Sequence, residues 1–234
     1  MNSPDRDEKI LRTTGGDFPL DEYCFKFDGR EWKILHVGAV LSQAEESHFL
    51  RELRETLPYG VTLWAAGIAL AHEVAFRGGD EALREKRVLE LGAGTGLPGI
   101  IAASMGAQVT QTDRNELAMT LCERNAKRNG AEEKIERRLV DWTEWNDGSG
   151  RYDYLLGSDI LYAQDMHGHL RRIFENNLAR GGRILLSDPF REPSIDFLES
   201  LEKDGWTIKM SKWSVGEESA LRSIGVFELS SPAA

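Results

Sequence analysis

Apolar and polar positions change their period twice along this chain, and each change predicts a different kind of structure. The first seventeen residues show no hydrophobic period, which predicts a loose arm. Phe25 and Phe27 then alternate with Lys26, and Trp32 and Ile34 alternate with Lys33 beyond Asp28-Gly29. Alternation on both sides of Asp-Gly predicts a hairpin, because glycine supplies the positive φ of a tight turn. Ser42 stands three residues before Glu45, the spacing of a capping box. Behind it Phe49, Leu50, Leu53 and Leu57 recur at helical intervals until Pro58 and Gly60 end the helix. A second apolar helix is expected over 65–76, stopping near Gly78-Gly79.

From Arg87 onward the period switches regularly between strand and helix. Strands are expected at 87–91, 108–112, 135–140, 152–157, 183–187, 206–211 and 223–229. Helices are expected at 98–105, 115–129, 165–179 and 193–203, with Leu170, Ile173, Phe174 and Leu178 forming one apolar face. The alternation predicts an α/β fold: a doubly wound, mostly parallel seven-stranded sheet with right-handed crossovers. No helix separates the last two strands, so one of them is expected to run antiparallel. The expected division is an N-terminal arm, hairpin and helix over 1–60 and a main domain over 61–234.

Composition narrows the partners. There are 39 acidic and 29 basic side chains, a formal net charge of -10, and no long basic run. Such a surface disfavours nucleic acid and would draw in a basic protein segment more readily. The two cysteines, Cys24 and Cys122, make neither a disulfide framework nor a CxxC metal pair. The most apolar window, 61–76, falls short of the ~20 residues a bilayer span needs. A soluble, reduced, cytoplasmic protein without a membrane partner is the expectation.

Candidate chemistry gathers at the ends of the expected strands. The first runs through Leu89-Glu90-Leu91 straight into Gly92-Ala93-Gly94-Thr95-Gly96, followed by an apolar helix. Glycines there let the backbone turn sharply and approach a ligand closely at a helix N-terminus. The second ends at Asp113, next to Arg114; its carboxylate either accepts from a ribose diol or caps the next helix. The third ends at Asp141-Trp142, where an acid could address an adenine amino group while the indole stacks on the ring. A buried edge tryptophan is the alternative. The fourth ends at Ser158-Asp159-Ile160-Leu161-Tyr162. In a doubly wound sheet the first and fourth strands are neighbours, so Asp159 and Tyr162 should face Gly94 across the switch-point crevice. Asp159 could instead cap the following helix.

Other conspicuous residues carry no functional assignment. His167 and His169 lack further ligands nearby, and Ser158 and Ser187 lack a hydrolase elbow. Lys127, Arg128, Lys134, Arg137 and Arg138 are offset by Glu132, Glu133 and Glu136. The segment Ser187-Asp188-Pro189-Phe190-Arg191 closes the fifth strand without a role that can be read from it.

With these residues in hand, the chain resembles the seven-β-strand methyltransferases, and among them the lysine methyltransferase-like group called methyltransferase family 16. The most specific stretch runs from Val88 to Gly99, where Leu97-Pro98-Gly99 follows the glycine loop. Leu63-Trp64-Ala65-Ala66 is similar to the group's tryptophan motif, with Ala65 where proline is usual, and Ser158 to Tyr162 resembles its Asp-x-x-Tyr motif. The resemblance implies a Rossmann-like methyltransferase fold and S-adenosylmethionine as cofactor, leaving S-adenosylhomocysteine. It implies a cofactor site lined by Trp64, Glu90, Gly92, Gly94, Asp113, Trp142 and Ser158, to which the strand-end reading adds Gly96, Arg114 and Asp141 as cofactor-binding candidates. Asp159 and Tyr162 would face the acceptor, a lysine-like amine of a protein. The match thins over the Phe25–Ile34 hairpin, where related enzymes build part of the acceptor site.

Three other functions remain open from sequence. A small-molecule amine could be the acceptor, or the fold could bind the cofactor without catalysis. A nicotinamide-dependent oxidoreductase is the third, but its fingerprint wants glycine or alanine where Leu97 stands.

Overall fold

The computed structural model describes residues 9–13, 16–53, 59–78, 82–146, 150–216 and 220–232. The chain enters through two short antiparallel strands, β1 (Ile10–Thr13) and β2 (Gly16–Pro19), which corrects the expectation of a loose arm over these residues. Leu11 and Leu20 are buried with Leu35, Val61 and Leu121, and Phe18 packs on the same cluster. Burying one such side chain is worth about 1.5–3 kcal/mol, enough to order a segment whose pattern is too short to show a period.

The predicted hairpin is present as β3 (Asp21–Phe27) and β4 (Arg30–His36), with Phe25 opposite Trp32. Asp28 and Gly29 turn it at φ 47° and 73°, the paired left-handed values that match strand twist. After β5 (Gly38–Val40), helix α1 (Gln43–His48) opens with the predicted capping box at Ser42 and Glu45. It is shorter than expected. The chain loosens into a wider π-type turn over Phe49–Leu53, which buries Phe49 and leaves Leu50 exposed. The Leu53 side chain, Leu57, Pro58 and Gly79 lie outside the described residues.

Strand β6 (Thr62–Trp64) leads into α2 (Ala65–Gly78), an apolar helix with nearly every residue of its first ten buried. Then come β7 (Arg87–Leu91), α3 (Leu97–Ser104), β8 (Gln108–Asp113), α4 (Glu116–Arg128), β9 (Ile135–Leu139), β10 (Tyr152–Ser158) and α5 (His167–Asn177). The chain continues through β11 (Leu178–Asp188), α6 (Glu192–Lys203), β12 (Thr207–Val215) and β13 (Arg222–Ser230). The seven-stranded sheet has the order β12-β13-β11-β10-β7-β8-β9. Only the pairs made by β13 are antiparallel, so β13 is the strand that reverses.

Strand β11 starts earlier than expected, taking Leu178 and Ala179 from the predicted helix; its register with β10 shifts between Tyr152 and Tyr154. One face of the sheet packs on α2, α3 and the hairpin residues Phe25, Trp32 and Ile34. The other packs on Leu170, Ile173 and Phe174 of α5 and Phe197, Leu198 and Leu201 of α6. No described helix is long and apolar enough to cross a membrane.

Candidate functional site

The first and fourth strands of the α/β repeat, β7 and β10, pair directly. The turns leaving their carboxyl ends therefore open onto one crevice, a cavity of about 700 Å³. That volume lies within the usual range for small-molecule sites. Among the predicted site residues, Trp64, Gly92, Gly94, Asp113, Arg114, Asp141, Trp142, Ser158, Asp159 and Tyr162 line it.

The glycine loop is shaped by contacts on both sides. Gly92 sits at φ 64°, and a Cβ there would lie 2.9 Å from Ile160 Cγ2 and 3.5 Å from the Trp142 ring. A side chain would both strain the backbone and fill the cradle. The Gly94 amide donates to Asp113 Oδ2 at 3.0 Å, and the Asn115 amide donates to Asp113 Oδ1 at 2.9 Å. One carboxylate thus ties the glycine loop to the start of α4 while facing the cavity. Asp113 is not the helix cap: that role belongs to Asn115, whose Oδ1 accepts from the Leu117 amide.

Glu90 and Gly96 lie behind the residues that line the cavity. Alternation along β7 turns Glu90 into the interior beneath the loop, where it is 2% exposed. Its Oε1 accepts from the Gly99 amide at 3.0 Å and its Oε2 from Gln111 Nε2 at 2.8 Å. Gln111 Nε2 also donates to the Gly96 carbonyl at 3.0 Å. Burial pushes the Glu90 carboxyl up to about 7 despite these donors. Glu90 and Gln111 hold the loop from behind.

On the third turn, Asp141 Oδ1 accepts from the Thr143 amide and hydroxyl, at 2.9 and 2.8 Å, and caps a short 3-10 turn. Its Oδ2 lies 3.8 Å from Arg114 Nη1. Trp142 is partly buried, with its ring toward Gly92. Across the mouth, Trp64 stacks on Tyr59 at 5.7 Å with an interplanar angle of 9°, and its indole N–H donates to the Tyr59 carbonyl.

On the fourth turn, Asp159 has φ 56°, a left-handed value uncommon outside glycine. Its amide donates to the Ser187 carbonyl at 2.8 Å, fixing the turn against β11. It does not cap α5, which is entered through the 3-10 turn Gln164–Met166 after Ala163. The Asp159 carboxylate instead faces Arg191, whose Nη1 donates to Oδ1 and whose Nη2 lies 3.3 Å from Oδ2. Arg191 also donates to Glu46 Oε1 at 2.5 Å, and Arg222 donates to Glu46 Oε2. Tyr162, at the rim, is 53% exposed.

Sequence reasoning missed this ion-pair chain. Arg191 lies in the segment to which the sequence assigns no role, and nothing local marks Glu46, one residue past the capping-box Glu45. Their meeting across 145 positions leaves no local signal. The histidine pair is structural in part: His167 Nε2 lies 2.8 Å from the Leu161 carbonyl and its ring packs on Phe197.

A doubly wound sheet with β13 reversed between β11 and β12, and a glycine turn opening on a cavity with an acid at the end of β8, defines the class I S-adenosylmethionine-dependent methyltransferases. The cavity suits that cofactor: the cradle at Gly92 has no room for a Cβ, and aromatic and carboxylate groups converge on it. The chain belongs to the lysine methyltransferase family, whose model matches residues 45–204.

It is 35% identical over 181 residues to Protein N-lysine methyltransferase METTL21A of Danio rerio, covering 75% of this chain and 71% of that protein. The Xenopus tropicalis protein of the same name is 35% identical over 150 residues, covering 62% and 68%. The crystal structure of magnesium protoporphyrin IX methyltransferase from Synechocystis PCC 6803 with bound SAM shares the fold at a TM-score of 0.56 and 19% identity, covering 69% of this chain and 78% of that one. The protein is thus an enzyme that uses S-adenosylmethionine as methyl donor, and the oxidoreductase alternative is set aside.

Proposed function

We propose that this enzyme methylates the side-chain amine of a lysine in a protein, presented on a basic segment. The charge of the cavity carries the reading. Its walls hold five carboxylates, Glu46, Asp113, Asp141, Asp159 and Asp165, against two guanidinium groups, Arg114 and Arg191. Such a surplus attracts a cationic acceptor. The lysine methyltransferase names of its relatives support the same acceptor.

The roles follow from position. The glycine loop, Asp113, Asp141 and Trp142 hold the cofactor on the β7–β9 side, with Trp64, Arg114 and Ser158 completing its wall. When bound, the cofactor supplies an electrophilic methyl group on a sulfonium. Asp159 and Tyr162 stand on the acceptor side, where Asp159 attracts and orients the ammonium and Tyr162 walls its approach. A lysine has an ordinary pKa of about 10.4, so roughly one in a few thousand is neutral at pH 7. Desolvation beside the sulfonium would lower that pKa, against the opposing pull of the Asp159 carboxylate, and the proton would pass to solvent at the rim, where Tyr162 is half exposed. The chain's main work is orientation and exclusion of bulk water.

Incubation of the enzyme with labelled S-adenosylmethionine and a cell lysate tests the reading. Label is expected in protein bands and, after hydrolysis, in methyl-lysines; label in small amines alone would replace the protein acceptor with a metabolite. Asp159→Asn is expected to lower kcat by about tenfold or more while leaving S-adenosylhomocysteine binding unchanged. Full turnover in that variant would remove its charge from the mechanism.

A further inference from the structure

The carboxylate set against the acceptor is not free-standing. Asp159 comes from the turn after β10, Arg191 from the start of α6, Glu46 from α1 and Arg222 from β13, so four separate elements meet in one chain of ion pairs. Asp159 is enclosed, with its side chain 10% exposed, and Arg191 and Glu46 are nearly as covered at 23% and 14%. Both Asp159 oxygens face one guanidinium, a planar fork that fixes the carboxylate in rotation as well as in place. The fork is itself held from behind by Glu46, and from the side by Asp188, whose Oδ2 lies 3.5 Å from Arg191 Nη1.

We propose that Arg191 is a positioning residue of the acceptor site: it orients Asp159 and keeps it charged, and Glu46 makes docking of the N-terminal helix a condition for that arrangement. This rests on the amine-acceptor reading above. The groups facing Asp159 are Arg191, Asp188, Arg222 and, from the rim, Tyr162. Burial raises the Asp159 carboxyl above its ordinary value, and Arg191 is the largest influence opposing that rise. Without Arg191, a covered carboxylate beside Asp188 would take up a proton nearer neutral pH and lose its hold on an ammonium. The geometry also explains why an N-terminal segment outside the α/β repeat matters to the chemistry. It carries the acid that holds the arginine.

The test follows the carboxylate itself. In enzyme labelled with 13C at the aspartate carboxyls and saturated with S-adenosylhomocysteine, the Asp159 resonance is assigned by its loss in Asp159→Asn and titrated by NMR. In Arg191→Gln its midpoint is expected to rise by about one pH unit or more, and in Arg191→Lys by less. With labelled S-adenosylmethionine and a labelled protein band from lysate, Arg191→Gln is expected to lower kcat by about tenfold and move the acid limb of its pH profile upward by the same interval. The S-adenosylhomocysteine Kd is expected to stay within about twofold. Glu46→Gln keeps Arg191 and is expected to lower kcat without changing that Kd, with Glu46→Asp recovering part of the loss.

An unchanged Asp159 midpoint in Arg191→Gln would overturn the proposal whatever the activity. If Arg191→Gln does not fold, wild-type kcat in both Arg191→Lys and Glu46→Gln would overturn it. A shifted midpoint in an enzyme that labels no protein would instead count against the lysine reading alone.

Discussion

Asn125 pairs with both backbone groups of Leu35. Its Oδ1 accepts from the Leu35 amide at 2.8 Å and its Nδ2 donates to the Leu35 carbonyl at 3.0 Å. The same Nδ2 donates to the Thr95 carbonyl at 2.9 Å. One fully buried amide on α4 therefore extends strand β4 as a strand partner would and, with its remaining proton, holds the glycine loop. Asn125→Ala leaves buried donors and acceptors unmet and should cost about 2–3 kcal/mol of stability. Chemical denaturation would read that loss, and calorimetry should show weaker S-adenosylhomocysteine binding because the Thr95 end of the loop is released.

Asp113 has two duties, and they can be separated. Asp113→Ala removes the acceptor for the Gly94 and Asn115 amides as well as the charge facing the cavity. S-adenosylhomocysteine affinity is expected to fall by about tenfold or more. Asp113→Asn retains one carbonyl oxygen and is expected to keep more of the fold than of the affinity. Equal affinity in wild type and Asp113→Asn would show that its charge is not used.

Glu90 predicts a pH dependence with a definite sign. Its folded carboxyl is raised to about 7, above its ordinary value of 4.5, so the folded state holds a proton that the unfolded chain has released. Its contribution is fully present below about 4.5 and is lost as pH rises through about 7, a change on the order of 3 kcal/mol. Measured against Glu90→Gln, the wild type should therefore lose relative stability between pH 5 and pH 7.5, with each pH compared by thermal denaturation of both proteins. A constant difference across that range would mean that Glu90 stays ionised.

Ser42→Ala tests how far the capping box supports the acceptor side. Ser42 Oγ accepts from the Glu45 amide at 3.2 Å, while Glu45 Oε2 accepts from the Ser42 amide at 2.8 Å. Losing the cap should cost about 1 kcal/mol, roughly fivefold in local opening, which hydrogen exchange over residues 43–48 would report. Methyl transfer should fall as Glu46 leaves Arg191, with cofactor binding unaffected.

The architecture was legible because each strand–helix period is local. Glu90 shows where legibility stops: alternation places it opposite Leu89 and Leu91, but only the folded sheet shows that this side lies under α3 rather than open to ligand. The short β1–β2 pair was hidden for another reason. Leu11 and Phe18 are ordered by α4, which follows about a hundred positions later in the chain. The glycine loop, Asp113 and Asp159 could be placed on one crevice because the topology of a doubly wound sheet does that for any such sequence. Arg191 and Glu46 could not, since their encounter depends on how α1 docks.

Strand order has a consequence for the birth of the molecule. β13 is wedged between β11 and β12, so β11 presents a bare edge during synthesis until a segment made after β12 returns to cover it. Nascent chains halted between residues 188 and 222 would carry that sticky margin, with Ile184 and Leu186 in it, and be the species most prone to self-association. Pairing of β13 with β11 closes that margin.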